Sequence, residues 1–370
     1  MPHYASTLQN AIVREVSRGL PNSCQSETLL PLTGLRIVLN AGNGSGYFFN
    51  EILKCLGADV SGSLHLTPDG TFPPDAGVPN PEYHAMIQAT TQACVRANAD
   101  LGIMFDTDSD RSGFIVPRTV DAQGLRSDYE PLNRNRLIAL LGVIFQTISP
   151  GCTFVTDSVT SEGLSTFLED DLGLNHVRYL KGYANVIGKA KELTESGRAL
   201  AEVGIETSGH CAMRENGYLD DGTYTAVKVI GLLARVSRYE KDGAGHTSLL
   251  DLISDLKEMA EVKELRMKVL DGTMSTTNQI FSTIANQIES ACGHRKEWDL
   301  DTDNLEGIRV RVGEDGGFFM VRKSLHDPII SMLVEGSSID SVRLDIVDPI
   351  NSIFKGEISP VLDLHCLDSY

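Results

Sequence analysis

The 370-residue sequence lacks an apolar run long enough to cross a membrane. A membrane-spanning helix needs about 18 or more apolar residues in succession, and no stretch approaches that length. The first twenty residues also lack the charged, then apolar, then small-residue layout of a secretory signal peptide. We therefore expect a soluble intracellular protein with no membrane partner.

Basic residues are also few. Lys and Arg number 32 against 50 Asp and Glu, which gives a formal net charge of −18. A chain this acidic repels nucleic acid and anionic lipid surfaces, so we expect no nucleic-acid partner. An anionic small substrate remains compatible with this charge if a metal ion or a local group of cations reverses the field inside a cleft.

The seven cysteines lack any C-x-x-C spacing and accompany no histidine cluster at zinc spacing. An odd number of scattered cysteines does not suggest a disulfide framework. They indicate buried thiols in a reducing compartment.

The order of predicted elements indicates an α/β protein. Buried-strand runs alternate with helical periods twice, which predicts two mixed, mostly parallel α/β/α sandwich domains. The stretch SLLDLISDLKEMA is predicted to be helical, and the strand-rich remainder suggests a small α+β C-terminal domain. The predicted division is residues 1–33 (helix and linker), 34–149 (first α/β/α domain), 150–262 (second α/β/α domain) and 263–370 (α+β domain).

The motif DTDSDR sets three carboxylates on alternate residues after a buried strand: Asp106, Asp108 and Asp110. Converging carboxylates repel, by about 4 kcal/mol for a pair at 4 Å and an effective dielectric of 20, so a hard cation such as Mg²⁺ would stabilise them. An EF-hand is excluded because it needs Gly sixth and Glu twelfth, where the chain has Arg111 and Pro117.

Two other interpretations of this motif stay open. One is a solvated acidic turn. The other is an aspartyl phosphatase in which Asp106 is the nucleophile, Asp108 the acid/base, and the pair Asp220 and Asp221 supplies metal ligands.

Two further loops are candidate binding sites. GIETSGH places Glu206, Ser208 and His210 on alternate positions, where a carboxylate, a hydroxyl and an imidazole can hydrogen-bond the vicinal hydroxyls of a sugar. NAGNGSG, residues 40–46, is either a phosphate-cradling loop at a helix start or a tight turn without a ligand.

Together these motifs resemble the α-D-phosphohexomutases, the phosphoglucomutase/phosphomannomutase family. DTDSDR is similar to the family's D-G-D-x-D-R metal loop, GIETSGH to its G-E-x-S-G-H sugar loop with one inserted residue, and NAGNGSG to the turn that opens its second domain. The likeness is strongest to plant-type members, which share NRNRLIALL and VTDSVTS. It spans domains two to four of the family and places the protein in the cytoplasm or the plastid.

The resemblance implies a role for each motif. Asp106, Asp108 and Asp110 would hold Mg²⁺, and Arg111 would face the phosphorylated centre. Glu206 and Ser208 would take the sugar hydroxyls, and His210 would transfer a proton. YLKGYANVI, residues 179–187, resembles the loop that senses substrate orientation. RKSLHDP, similar to the family's R-x-S-G-T-E-P phosphate loop, keeps Arg322, Lys323 and Ser324 as phosphate ligands, while Leu325 and His326 replace Gly and Thr.

One element of the family pattern is missing from the sequence. The family relays phosphate through a serine in a T-A-S-H loop, and no Ser directly precedes a His in these 370 residues. We therefore expect a phosphohexomutase-family protein whose 370 residues are inactive alone. Interconversion of hexose 1- and 6-phosphates would require the first domain, supplied either by a separate polypeptide or by a part of the protein outside these residues. The alternatives are a non-catalytic sugar-phosphate-binding subunit and the Mg²⁺-dependent aspartyl phosphatase.

Overall fold

A computed structural model describes residues 2–18, 30–72, 77–121, 123–239, 248–324, 327–356 and 358–370. The backbone contacts divide the chain into two compact units. The first unit consists of Met1–Thr156, Phe167–Val177 and Gly182–Leu256, and the second of Asp157–Thr166, Arg178–Lys181 and Lys257–Tyr370. Within the described residues no helix has the length and apolar character needed to span a membrane.

Helices and strands alternate through most of the chain. The α-helices are α1 (Pro2–Ser17), α2 (Phe48–Cys55), α3 (His84–Ala97), α4 (Asn135–Ile148), α5 (Glu162–Thr166), α6 (Tyr183–Glu195), α7 (Gly222–Tyr239), α8 (Met274–Cys292), α9 (Ile339–Val342), α10 (Asp348–Phe354) and α11 (His365–Asp368). The strands are β1 (Ile37–Asn40), β2 (Leu101–Phe105), β3 (Ser112–Val120), β4 (Arg126–Leu132), β5 (Thr153–Asp157), β6 (Asn175–Tyr179), β7 (Ala201–Ile205), β8 (Cys211–Met213), β9 (Glu261–Lys268), β10 (Trp298–Leu300), β11 (Ile308–Val312), β12 (Gly317–Lys323) and β13 (Ile329–Gly336).

The first sheet has the strand order β1-β2-β3-β4. β1 and β2 are buried along their whole length and pair in parallel, which fits their uninterrupted apolar sequences. β3 and β4 then add as antiparallel strands, so this sheet is mixed, with a larger antiparallel part than the sequence indicated. The metal loop predicted from the sequence is the connection between β2 and β3.

The second sheet has the order β6-β5-β7-β8. β5 and β7 pair in parallel, and β8 returns antiparallel beside β7. The sugar loop predicted from the sequence is the turn between β7 and β8. The α/β class inferred from the alternating pattern is therefore confirmed, with helices against mixed sheets.

The third sheet, β10-β11-β12-β13-β9, is antiparallel throughout and belongs to the second unit. On successive turns of α8, Ile280, Ile284 and Ile288 are buried in the core of this unit. Alternate apolar residues of the sheet, such as Phe319 and Val321, belong to the same core. This is the small α+β region expected from the sequence.

One local prediction is wrong, and four strands were not predicted. The stretch 248–260 is not a helix: it has a single 3₁₀ turn, Asp251–Ile253, followed by chain without regular secondary structure. β4 and β9 were not predicted, because their sequences RSDYEPL and EVKELRMK are mostly polar and exposed and show no strong apolar alternation. β8 and β10 have only three residues each, too few to show a period.

Candidate active site

The metal loop starts where the buried strand β2 ends. Phe105 pairs with Ser112 of β3, so residues 106–111 close a hairpin, and Ser109 takes a left-handed conformation (φ 68°) within it. The carboxylate oxygens of Asp106, Asp108 and Asp110 lie within 4.8 Å of one another. The alternate spacing seen in the sequence therefore does converge on one point.

Arg111 is fixed against this cluster by Asp106. The Arg111 Nε donates to Asp106 Oδ2 at 2.7 Å, and the Arg111 backbone N–H donates to Asp106 Oδ1 at 3.1 Å. Asp106 is only 1% exposed, so the guanidinium compensates a carboxylate that burial would otherwise penalise. The Arg111 guanidinium is therefore hydrogen-bonded to Asp106, one of the three carboxylates.

Asp110 has longer ionic contacts: its Oδ1 lies 3.8 Å from the Arg111 Nε and its Oδ2 lies 3.6 Å from the His210 Nδ1. Its Oδ1 is buried and has no hydrogen-bond partner among the described residues. Burial, followed by the negative charge of Asp106, raises the pKa of Asp110 to about 7. An oxygen-only donor set with excess negative charge and an unpartnered buried oxygen fits a hard divalent cation.

Glycines let neighbouring chain segments approach this loop closely. A Cβ on Gly44 would lie 2.7 Å from Thr107 O, and a Cβ on Gly222 would lie 2.6 Å from Arg111 C. The Ser45 N–H also donates to Thr107 O at 2.9 Å. NAGNGSG is therefore a turn that supports the metal loop, which favours the second of its two sequence interpretations.

The sugar loop is a tight turn after β7. The Glu206 N–H donates to His210 O at 2.9 Å, and Gly209 has a positive φ of 97° that suits glycine. Glu206 is 5% exposed; its Oε1 accepts from the Gly182 N–H at 2.6 Å and its Oε2 from the Ser208 hydroxyl at 3.2 Å. Gly182 belongs to YLKGYANVI, so this stretch contacts the sugar loop directly.

His210 joins the sugar loop to the metal loop. Its backbone forms an antiparallel β-bridge with that of Arg111. Its Nδ1 lies 2.7 Å from Asp220 Oδ2 and 3.6 Å from Asp110 Oδ2. Burial opposes the charged imidazole, but the hydrogen bond and the charge of Asp220 raise the pKa of His210 above its ordinary value.

The first unit thus brings together seven of the ten residues singled out in the sequence. They are Asp106, Asp108, Asp110, Arg111, Glu206, Ser208 and His210. Two further residues lie beside His210 without any sequence motif that indicates it: Asp220, and Tyr183, whose ring stacks on the imidazole with centroids 4.9 Å apart. The short β8 hairpin that returns Asp220 to His210 gave no periodic signal from which this contact could be inferred.

The phosphatase interpretation requires Asp221 as a metal ligand, and the structure gives this carboxylate another role. Asp221 precedes α7, and its oxygens accept from Tyr4, Asn216, Thr223 and the Tyr224 N–H. It therefore caps the helix. Among the described residues it belongs to neither group of side chains that could hold a metal ion.

The predicted phosphate ligands lie in the second unit, at the end of β12. The Arg322 guanidinium donates to Glu264 at 3.2 Å, and the Lys323 ammonium donates to Asn278 at 2.6 Å. Successive strand residues face opposite sides, which separates these two cations. The Ser324 hydroxyl accepts from the Asp327 N–H at 3.2 Å. Leu325 and His326 lie outside the described residues.

The turn that carries the three carboxylates and the turn that carries Glu206, Ser208 and His210 are joined by a backbone bridge on an α/β scaffold. Two family models match the chain: phosphoglucomutase/phosphomannomutase alpha/beta/alpha domain II over residues 18–119 and domain III over residues 133–256. Together these ranges cover more than half of the chain. The chain belongs to the α-D-phosphohexomutase family.

Individual relatives agree with this assignment. The phosphomannomutase of Salmonella typhimurium is 33% identical over 312 residues, which cover 82% of this chain and 59% of the relative. A phosphoglucomutase/phosphomannomutase family protein from Burkholderia thailandensis shares the fold with a TM-score of 0.68 at 22% identity, over 95% of this chain and 64% of that one.

A third relative was solved with ligands. The Aspergillus fumigatus N-acetylphosphoglucosamine mutase in complex with GlcNAc-6P and magnesium has a TM-score of 0.56 at 13% identity, over 95% of this chain and 68% of that one. This likeness shows the fold alone. The chain spans 58–62% of the length of three curated relatives that it matches.

Proposed function

We propose that the chain provides the Mg²⁺ and sugar-binding loops of a hexose-phosphate mutase, which moves phosphate between C1 and C6 of glucose or mannose phosphates. The observation that carries this proposal is the β-bridge between Arg111 and His210, which fixes the metal loop beside the sugar loop. The family membership supports the reaction class. The compartment, the plant-type likeness and the three-domain division remain predictions.

Each residue of the site has a role in this proposal. Asp106, Asp108 and Asp110 would hold Mg²⁺, which when bound supplies Lewis-acid polarisation of a phosphoryl oxygen. Arg111, held by Asp106, orients its guanidinium towards the phosphorylated centre. Glu206 accepts hydrogen bonds from sugar hydroxyls, the Ser208 hydroxyl donates to or accepts from them, and His210 carries a proton to or from the reacting hydroxyl.

The phosphoryl relay is assigned to a serine outside these 370 residues, on a first domain of the family type. The sequence has no Ser directly followed by His. Mutual positioning and electrostatics do not replace a covalent relay, so the 370-residue chain should be inactive alone. Arg322, Lys323 and Ser324 are proposed to bind the phosphate that is not being transferred.

The test is hexose-phosphate interconversion by the purified chain with Mg²⁺ and a ³²P-labelled hexose bisphosphate. We expect no turnover alone, and turnover after addition of a separately expressed first domain from a relative. Binding without turnover under both conditions would favour the non-catalytic sugar-phosphate-binding subunit. Label retained on Asp106 would favour the phosphatase. Interconversion by the chain alone would contradict the external relay.

Sugar binding has its own test. Glu206→Gln should weaken binding of glucose 1-phosphate or mannose 1-phosphate by roughly 1.5–3 kcal/mol, because a charged acceptor is lost. Ser208→Ala should cost less. Glu195→Gln, a change of the same type at an exposed position on α6, should leave the dissociation constant unchanged. Equal affinities of the Glu206→Gln and Glu195→Gln variants would contradict the assignment of the sugar loop.

A further inference from the structure

The His210 imidazole is held on one edge and on one face. Its Nδ1 lies 2.7 Å from Asp220 Oδ2. The Tyr183 ring stacks on it with an interplanar angle of 24°. A ring fixed in this way presents its other nitrogen, Nε2, in a constant direction, as a group that exchanges protons with a ligand requires.

Asp220 is itself fixed by the backbone around it. Its second oxygen, Oδ1, accepts from the Cys211 N–H at 3.0 Å. Residue 220 forms an isolated antiparallel bridge with Ala212, and the next residue, Asp221, caps α7. The carboxylate therefore holds both the ring of His210 and the amide of the residue that follows it.

We propose that Asp220 is a positioning residue that keeps the proton of the neutral His210 on Nδ1 and so leaves Nε2 as the nitrogen that exchanges a proton with the sugar. An ionised carboxylate only accepts hydrogen bonds, so Nδ1 must be the donor. This inference rests on the proposed function, in which His210 transfers a proton.

Asp110, the other carboxylate beside His210, does not have this role. Its Oδ2 lies 3.6 Å from Nδ1, beyond hydrogen-bond range. Asp110 is common to both groups of side chains that could hold a metal ion among the described residues, one with Asp106 and Asp108 and one with His210 and Asp220. Removing the charge of Asp110 should therefore leave the tautomer unchanged. The two carboxylates face the same nitrogen, and only the nearer one, that of Asp220, determines whether this nitrogen carries the proton.

The nearly isosteric variant Asp220→Asn tests the assignment sharply. An amide has one accepting oxygen where the carboxylate has two, so the Cys211 N–H and His210 Nδ1–H compete for it. The backbone amide cannot give up its proton, whereas the imidazole can change tautomer. The amide oxygen should therefore turn to Cys211, its NH₂ should face Nδ1, and His210 should become the Nε2–H tautomer.

The measurement is ¹⁵N NMR of the full chain labelled at its nine histidines. His210 is assigned by its loss in His210→Gln, at a pH high enough for neutral imidazole. We expect Nδ1–H in the unmodified chain, Nε2–H in Asp220→Asn and Asp220→Ala, and Nδ1–H in Asp110→Asn. Circular dichroism confirms that each variant folds.

The inference is overturned if the unmodified chain shows Nε2–H, or if both Asp220 variants fold and keep Nδ1–H. It is also overturned if Asp110→Asn changes the tautomer as Asp220→Asn does. Because no substrate or metal is present, a failure of the proposed function in the turnover and binding assays would be seen separately from a failure here.

Discussion

Two groups of buried charge in the first unit contrast sharply. In the first, between α1 and α7, Glu15 and Lys228 are both fully buried and 2.9 Å apart, and Arg18 donates to Glu15 at 2.8 Å. Burial opposes ionisation of Glu15, but the surrounding cations lower its pKa to about 2. In the second, the metal loop, burial and neighbouring carboxylates instead raise the pKa of Asp110 to about 7.

The contrast separates a structural network from a site prepared for a ligand. Around Glu15 each buried charge has a partner of opposite sign within the chain, so the network is complete. Around Asp110 one guanidinium faces three carboxylates, and the neighbouring His210 is hydrogen-bonded to a fourth, Asp220, so the charge balance requires a further proton or an added cation. Both groups are parts of one folded unit, and the excess of negative charge distinguishes the candidate site from the structural network.

The largest effect is expected from breaking the complete network. Lys228→Met removes the fully buried cation that contacts both Glu15 and Glu215, leaving the buried Glu15 carboxylate without its ammonium partner. We expect a loss of about 3–5 kcal/mol in the free energy of unfolding, measured by urea denaturation.

The matched control is Lys191→Met. Lys191 is 54% exposed and pairs with Glu195 on the surface of α6. Its loss should change stability by about 0.5 kcal/mol or less. Equal losses in the Lys228 and Lys191 variants would show that the buried pair adds nothing beyond a surface pair.

The next effect is the pH dependence of the stability that the same network provides. A pKa near 2 in the folded chain against an ordinary value of 4.5 means that ionised Glu15 stabilises the fold by roughly 3 kcal/mol. Because the folded pKa is the lower one, this stabilisation is complete well above pH 4.5 and is lost as pH falls through 2.

The difference between the unmodified chain and Glu15→Gln isolates this contribution from those of other carboxylates. The gap in unfolding free energy should be widest near neutral pH and should shrink below pH 4.5. Glu195→Gln, on the exposed side of α6, should instead give a curve parallel to that of the unmodified chain. A gap between the unmodified chain and Glu15→Gln that stays constant down to pH 2 would contradict the network's role.

The sequence predicted the carboxylates of the metal loop better than the network around Glu15. Asp106, Asp108 and Asp110 lie within five residues of one another, so their alternate spacing after a buried strand can be recognised in the sequence. The partners Glu15 and Lys228 are 213 positions apart, and nothing local in either helix indicates the pair. Asp220 reaches His210 through a ten-residue hairpin whose β-strand is only three residues long.

Helices and strands were predicted correctly where burial gives the sequence a regular pattern of apolar residues. β1 and β2 are buried throughout and mostly apolar and were recognised, whereas the mostly polar β4 and β9 depend on backbone pairing with a neighbouring strand. Residues 248–260 show the opposite error. Their leucines follow a helical period, but only one 3₁₀ turn forms.

A smaller effect is expected from the turn that supports the metal loop. Gly44→Ala would place a Cβ 2.7 Å from Thr107 O and 3.0 Å from Asp106 O, so the loop must shift. We expect a loss of about 1–3 kcal/mol in unfolding free energy, together with weaker Mg²⁺ binding.

Gly70→Ala is the control, because a Cβ there meets no atom of the described residues within 4 Å. It should alter stability by about 0.5 kcal/mol or less and leave Mg²⁺ binding unchanged. If Gly44→Ala binds Mg²⁺ as the unmodified chain does, the turn is not a support of the loop.

The smallest expected effect tests directly whether the carboxylates of the metal loop bind a cation. Asp108 is exposed and forms no part of the Asp106–Arg111 pair, so Asp108→Ala removes one candidate ligand without disturbing that pair. We expect the Mg²⁺ dissociation constant from calorimetry to rise at least tenfold, or about 1.4 kcal/mol. Asp170→Ala, at an exposed position outside the cluster, removes the same charge and should have no effect. If the Asp108 and Asp170 variants bind Mg²⁺ equally well, the excess charge of the loop is neutralised by protons and the proposed metal site fails.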